Sequence, residues 1–95
     1  MRELARSYVT LTQDGTRTMN RLKAIYRGRA IGCAGHKVYS PRYRQLWLEQ
    51  LKEPGVRRRA ERLYQQLDVL QQLRREARQE LLAESRQAQR QQTLA

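Results

Sequence analysis

Apolar residues recur with heptad spacing between residues 54 and 92. Eight of the ten positions in this row, which we call the seam, are apolar. The seam comprises Ala60, Leu67, Arg74, Leu81 and Ala88 on one set of positions and Val56, Leu63, Leu70, Ala77 and Glu84 on the other. This spacing predicts a coiled-coil helix over 54–92, roughly 55 Å long. Pro54 suits its first turn, and no Pro or Gly follows Gly55.

A helix of this length cannot enclose a core of its own, so its apolar stripe requires a second helix. That helix comes either from this chain or from another copy. We predict contacts between copies along the seam, carried by Val56, Leu63, Leu67, Leu70 and Leu81. The alternative is a helix packed on a globular core, because two seam sites are charged and three are Ala.

A second amphipathic pattern covers about residues 2–28. Leu4, Tyr8 and Leu11 share a face with Leu22 and Ile25, which predicts a helix packed antiparallel to the long one. Gly15 and Thr18 fall on this face. Because an interior Gly costs about 1 kcal/mol relative to Ala, we expect a bend or break near Gly15. The start inside a helical pattern suggests a piece of a longer protein.

The residues between the two long helices predict a connector and a short helix. Three glycines between residues 28 and 39 indicate an irregular connector over 29–39. Ser40 and Pro41 are typical of a helix start, so we predict a short helix over 41–52. Trp47 either stacks on a base or packs in the core, and the leucines beside it favour the core. The predicted fold is all-α, a helical hairpin or coiled coil with one short bracing helix.

The size and composition exclude several classes of protein. At 95 residues the chain forms one domain at most, and nothing in it predicts an enzyme pocket or a small-molecule substrate. Cys33 and His36 are three residues apart, but no second Cys/His pair exists and zinc needs at least three protein ligands. We therefore predict no metal and no cofactor. No signal segment or apolar run of membrane length occurs, which indicates a cytoplasmic protein without membrane contact.

The charge is concentrated in the first half of the chain. The net charge is +11, of which residues 1–45 carry +8 and residues 46–95 carry +3. No acid occurs over residues 15–48, and 17 of the 20 cations are Arg. Since the planar Arg side chain matches phosphate with two hydrogen bonds, this pattern favours nucleic acid as the partner. The alternative is a genome with a strong bias towards Arg, in which Arg occupies any position that needs only a soluble cation.

Ten residues of this basic half form the predicted nucleic-acid interface. They are Arg17, Asn20, Arg21, Lys23, Arg27, Arg29, His36, Lys37, Arg42 and Arg44. Residues 17, 20, 21, 24 and 27 share one helix surface by the three-and-four rule, and their side chains suit phosphates and base edges. The alternative is a solvated polar face on which Asn20 pairs with a neighbouring helix.

Three runs of sequence resemble a known family. They are the run Arg17-Thr-Met-Asn-Arg-Leu-Lys-Ala, the segment from Ser40 ending in Trp-Leu-Glu-Gln-Leu, and the run from Glu53-Pro-Gly-Val-Arg-Arg-Arg to Leu70 with the later Glu80-Leu-Leu-Ala-Glu-Ser-Arg. Together they resemble insertion-sequence transposases of the IS-one-ten type, and the resemblance covers most of the chain. In that family a RuvC-like nuclease domain precedes a helical coiled-coil region, and a domain with a catalytic serine follows. This chain resembles the middle region alone.

The resemblance implies a region that joins protomers and contacts guide RNA or DNA, without chemistry of its own. Glu3 and Asp14 are the only acids of the first half, too few for a two-metal site, and no serine has an activating base nearby in sequence. We therefore predict no catalytic residue. Three alternatives stay open: a free-standing small nucleic-acid-binding protein, a coiled coil that binds only proteins, and a transposase remnant without function.

Overall fold

The chain folds as an all-α helical hairpin. A computed structural model describes residues 2–33 and 35–94. These residues form three α-helices: α1 over Arg2–Arg27, α2 over Arg44–Glu49 and α3 over Pro54–Leu94. α1 packs along α3, and no strand occurs in the described ranges. The molecule is a rod that measures 63 × 22 × 20 Å. The helices and their packing confirm the predicted fold class.

The short middle helix differs from its predicted extent of 41–52. Residues Lys37–Tyr39 and Pro41–Tyr43 each form a single 3-10 turn, and α2 has six residues. The Ser40 side chain makes no capping hydrogen bond, so the predicted cap is wrong. The end of α2 tightens because the N–H groups of Gln50 and Leu51 bond three residues back. Ala34, within the predicted connector, lies outside the described residues.

α1 is continuous through Gly15, where the sequence predicts a bend. Gly15 and Thr18 are both buried on the side that packs on α3. The Thr18 hydroxyl donates to the carbonyl of Asp14 at 2.9 Å, which satisfies a polar group that would otherwise be buried without a partner. Packing along α3 therefore outweighs the low helix propensity of one Gly, as is usual for helices in folded proteins.

α1 ends in a Schellman motif that turns the chain towards the connector. The N–H of Ile31 bonds to the carbonyl of Tyr26, and the N–H of Ala30 bonds to that of Arg27, both at 3.0 Å. Ala30 takes the left-handed conformation, with a φ of 58°. Ile31 then packs against the core, which supplies the apolar contact that accompanies this motif.

The core lies at one end of the rod, where α1, the connector, α2 and the first half of α3 meet. Its largest fully buried side chains are Leu22, Tyr26, Val38, Leu51, Tyr64 and Leu67. Trp47 packs edge-on against Tyr26, with ring centroids 5.3 Å apart. Core packing is therefore confirmed for Trp47. Towards the other end only α1 and α3 remain, and Leu4, Tyr8 and Leu81 are half-buried.

The seam of α3 packs inside the chain. Leu63 and Leu67 are 8% and 1% exposed in the core, and Val56 packs against the same core. Leu70 and Leu81 are half-buried, whereas the charged seam positions Arg74 and Glu84 are exposed. The second helix that the seam requires is α1 of the same chain. This corrects the assignment of Leu63 and Leu67 as contacts between copies, because neither is available to a partner in the folded chain.

Candidate nucleic-acid interface

The five α1 residues predicted to share a surface all face away from α3. Arg17, Asn20, Arg21, Ala24 and Arg27 are each exposed, and we call this set the outer face of α1. The alternative in which Asn20 pairs with a neighbouring helix is wrong, since Asn20 is exposed and no hydrogen bond of the described residues involves it. Helical geometry makes the outer face a rigid row, about 15 Å from residue 17 to residue 27.

The connector folds back beside this face and brings more cations to it. The Tyr39 hydroxyl donates to the carbonyl of Met19 at 3.2 Å. The ammonium of Lys23 lies 5.5 Å from the centroid of the Tyr39 ring, and the His36 ring lies 6.0 Å from it. His36 and Lys37 are exposed, so the turn adds them to the side of α1 that carries Lys23.

Acidic partners separate the predicted cations into two groups. Arg17 contacts Asp14 at 3.7 Å, one turn away, and both side chains are largely exposed, so this pair neutralises little. The other group has no acidic partner among the described residues and comprises Arg21, Lys23, Arg27, Lys37 and Arg42. Within the predicted interface, these five side chains keep their positive charge free for a partner.

Arg44 has a structural role and does not belong to the interface. Its two terminal nitrogens donate to the two carboxylate oxygens of Asp68, both at 2.7 Å. Its guanidinium also lies over the ring of Tyr64, 4.7 Å from the centroid. The hydrogen bonds with Arg44 lower the pKa of Asp68, and those with Asp68 raise the pKa of Arg44. The pair ties α2 to α3, which corrects the predicted role of Arg44.

Arg29 and Arg42 also lie apart from the outer face of α1. Arg29 donates to the carbonyl of Ile25 at 3.3 Å and contacts Glu53 at 3.6 Å, so it joins the end of α1 to the residue before α3. Arg42 is exposed on the second 3-10 turn, where its guanidinium lies 5.6 Å from the centroid of the adjacent Tyr43 ring. Of the two, only Arg42 keeps its charge free for a partner.

A chain of two buried hydroxyls holds the connector in place. The Tyr26 hydroxyl donates to the Tyr64 hydroxyl at 3.0 Å, because Tyr64 uses its own proton to donate to the carbonyl of Val38 at 2.8 Å. Val38 lies between Lys37 and Tyr39, so these bonds fix the turn that presents the cations. These hydrogen bonds were not predicted from the sequence, although a Tyr on the apolar face of each long helix was a signal for them.

The remaining chemistry-bearing groups do not form a second site. Cys33 is buried, and its sulfur lies 3.9 Å from the carbonyl of Lys23. Over residues 2–33 and 35–94, no three His, Cys, Asp or Glu side chains converge as metal ligands. Within the same ranges, no helix has the length and apolar character needed to cross a bilayer.

Comparison of the chain with protein-family models, with curated proteins and with solved structures finds no match.

Proposed function

We propose that this chain is the non-catalytic helical region of an insertion-sequence transposase. In this proposal it binds the backbone of DNA or guide RNA through the outer face of α1 and associates with further copies through α3. The observation that carries the proposal is that Arg21 and Arg27, on one rigid helix face, have no acidic partner among the described residues, and neither do Lys23 and Lys37 beside it.

The electrostatic arrangement supports contact with phosphates. Acids from the second half of the chain pair with Arg29 and Arg44, at the connector and α2. Arg21 and Arg27 on the outer face of α1 have no such partner in the part of the chain that the structure describes. A row of fixed positive charge gains affinity for nucleic acid by releasing the counterions that surround the phosphates. The row spans about 15 Å, which matches the rise of about four nucleotides along one strand.

The chemistry of the side chains supports a nucleic-acid partner over a general polyanion. Arginine donates to a phosphate with two parallel hydrogen bonds and also stacks on bases. Asn20 lies between these arginines, and its amide can donate to and accept from a base edge. Ala24 is small, so a phosphate backbone can approach the helix closely at that point.

The resemblance to transposases supports the wider assignment. The run of residues 17–24 lies on α1, the segment of residues 40–51 forms the second 3-10 turn and α2, and the run of residues 53–70 begins α3. Each run therefore corresponds to a separate part of the hairpin. Because we assign no catalytic residue to this chain, the chemistry of transposition would belong to other domains.

A titration of labelled RNA and DNA duplexes by fluorescence anisotropy tests the proposal. The test variant combines Arg17→Glu, Arg21→Glu and Arg27→Glu. Each lost phosphate contact should flatten the slope of log affinity against log salt by about 0.7 to 0.9. The matched control combines Arg75→Glu, Arg78→Glu and Arg86→Glu, which changes the charge equally on exposed residues of α3. Equal loss of affinity in both variants would contradict a specific interface on α1.

A further inference from the structure

A second row of residues, spaced three or four apart, lies on the solvent-exposed side of α3. Its members are all exposed and we call them the outer flank of α3: Arg58, Arg62, Gln66, Val69, Leu73, Glu76, Glu80 and Glu84. Val69 and Leu73, at its centre, are 58% and 42% exposed. Adjacent exposed apolar side chains on a helix are a common feature of contact surfaces between helices.

The charges of this flank are sorted by sign along the helix. Arg58 and Arg62 precede the apolar centre, and Glu80 and Glu84 follow it. None of these four side chains has an ion-pair or hydrogen-bond partner within the described residues. A flank with one sign at each end is complementary to itself when a second helix lies on it in the opposite direction.

We propose that the outer flank of α3 binds the same flank of a second copy, with the two α3 helices antiparallel about a two-fold axis near residue 71. In this register Val69 packs on the partner's Leu73, Arg62 pairs with the partner's Glu80, and Arg58 pairs with the partner's Glu84. Each contact occurs twice, as an isologous interface requires. A parallel arrangement in register would place like charges together, so the charge pattern selects the antiparallel one.

The interface avoids the buried part of the seam and leaves the hairpin intact, since the seam and the outer flank share only the exposed Glu84. The seam residues Leu63 and Leu67 stay buried against α1, while the outer flank is free on the surface. Only two apolar residues per copy contribute, so the dimer should be weak and sensitive to salt. The inference rests on the self-association in the proposed function and names its surface. The dimer interface does not include the outer face of α1. A failure of the dimer test would therefore leave the proposed nucleic-acid binding untouched, and the reverse also holds.

Reciprocal charge reversal tests whether two outer flanks bind each other through these charges. The first variant carries Glu80→Arg with Glu84→Arg, which makes the flank entirely basic at both ends. The second carries Arg58→Glu with Arg62→Glu, which makes both ends acidic. We expect each variant alone to dissociate more readily, with a dissociation constant raised roughly tenfold to hundredfold, because four attractive pairs become repulsive. A mixture of the two variants restores opposite charges at both ends and should form a heterodimer.

Sedimentation velocity measures the dimerisation. It is run over a series of protein concentrations, in low salt and on protein free of nucleic acid. The control carries Arg75→Glu with Arg86→Glu, which matches the charge change of the second variant on other exposed positions of α3 and should leave the dimer unchanged. Circular dichroism confirms that each variant stays helical. A monomeric wild-type chain, a dimer that survives both reversals, or a mixture that stays monomeric would each overturn the proposal.

Discussion

The hydroxyl of Tyr26 on α1 lies 3.0 Å from the hydroxyl of Tyr64 on α3, and both side chains are fully buried. This contact joins the two helices of the hairpin at the end that carries the core. The Tyr64 hydroxyl in turn donates to the carbonyl of Val38, so two buried hydrogen bonds connect α1, α3 and the connector. The position of the basic turn beside α1 therefore depends on a polar contact inside the core.

The order of the donors predicts unequal effects of removing the two hydroxyls. Tyr64→Phe leaves both the Tyr26 hydroxyl and the Val38 carbonyl without a partner in a buried site, and should lower the free energy of unfolding by about 1 to 3 kcal/mol. Tyr26→Phe removes only the first donor and should cost about 0.5 to 1.5 kcal/mol. Urea denaturation measures both. A larger loss of stability for Tyr26→Phe than for Tyr64→Phe would contradict the proposed order of donors and acceptors.

The same tyrosines predict a loss of stability in alkali. Burial raises the pKa of Tyr26 above its usual 10.0, and burial together with the bond from Tyr26 raises that of Tyr64 further. A raised pKa in the folded state means that the contribution is complete below pH 10 and is lost as the pH rises beyond it. Unfolding of the wild type should therefore become easier above pH 10, and the variant with Phe at both positions should show a smaller dependence in thermal melts.

Replacing Gly15 with Ala should stabilise the folded chain. It is buried in the middle of α1, yet a Cβ built on it meets no atom within 4 Å outside its own helix backbone. Gly15→Ala should raise the free energy of unfolding by about 0.5 to 1 kcal/mol, because Ala favours the helix and restricts the unfolded chain. Gly28→Ala is the contrast, since its Cβ would lie 3.2 Å from the carbonyl oxygen of Ala24 and should gain less. Thermal melts of the two variants compare them.

At residue 30 the reverse substitution, from Ala to Gly, should stabilise the folded chain. Its φ of 58° is a conformation that Gly adopts without the steric cost of a Cβ. Ala30→Gly should therefore stabilise the chain by up to about 1 kcal/mol while keeping both hydrogen bonds of the Schellman motif. Urea denaturation checks the sign, and a destabilised variant would show that the end of α1 takes another conformation in solution.

Hydrophobic periodicity predicted the two long helices and their hairpin, because each depends on residues close in sequence. It could not decide which helix covers the seam, since a helix of the same chain and one from another copy bury the same stripe. Arg44 illustrates the limit for the candidate interface. Its partner Asp68 is 24 residues away, so only the packing of α2 on α3 distinguishes a structural Arg from a free one. The exposed residues of α1 were predictable because helical spacing alone places them together.

The Arg44 and Asp68 pair predicts a loss of stability in acid. Its hydrogen bonds lower the pKa of Asp68 below the usual 3.8. A lowered pKa in the folded state means that the contribution is present above pH 3.8 and is lost as the pH falls through the folded value. Asp68→Asn should cost about 0.5 to 1 kcal/mol at pH 7, since the carboxylate is partly exposed, and should flatten the decline below pH 4. If urea midpoints of the two proteins fell in parallel from pH 5 to pH 2, the pair would contribute nothing to stability. Glu61→Gln, at an exposed acid without an ion-pair partner in the described ranges, is the control and should follow the wild type.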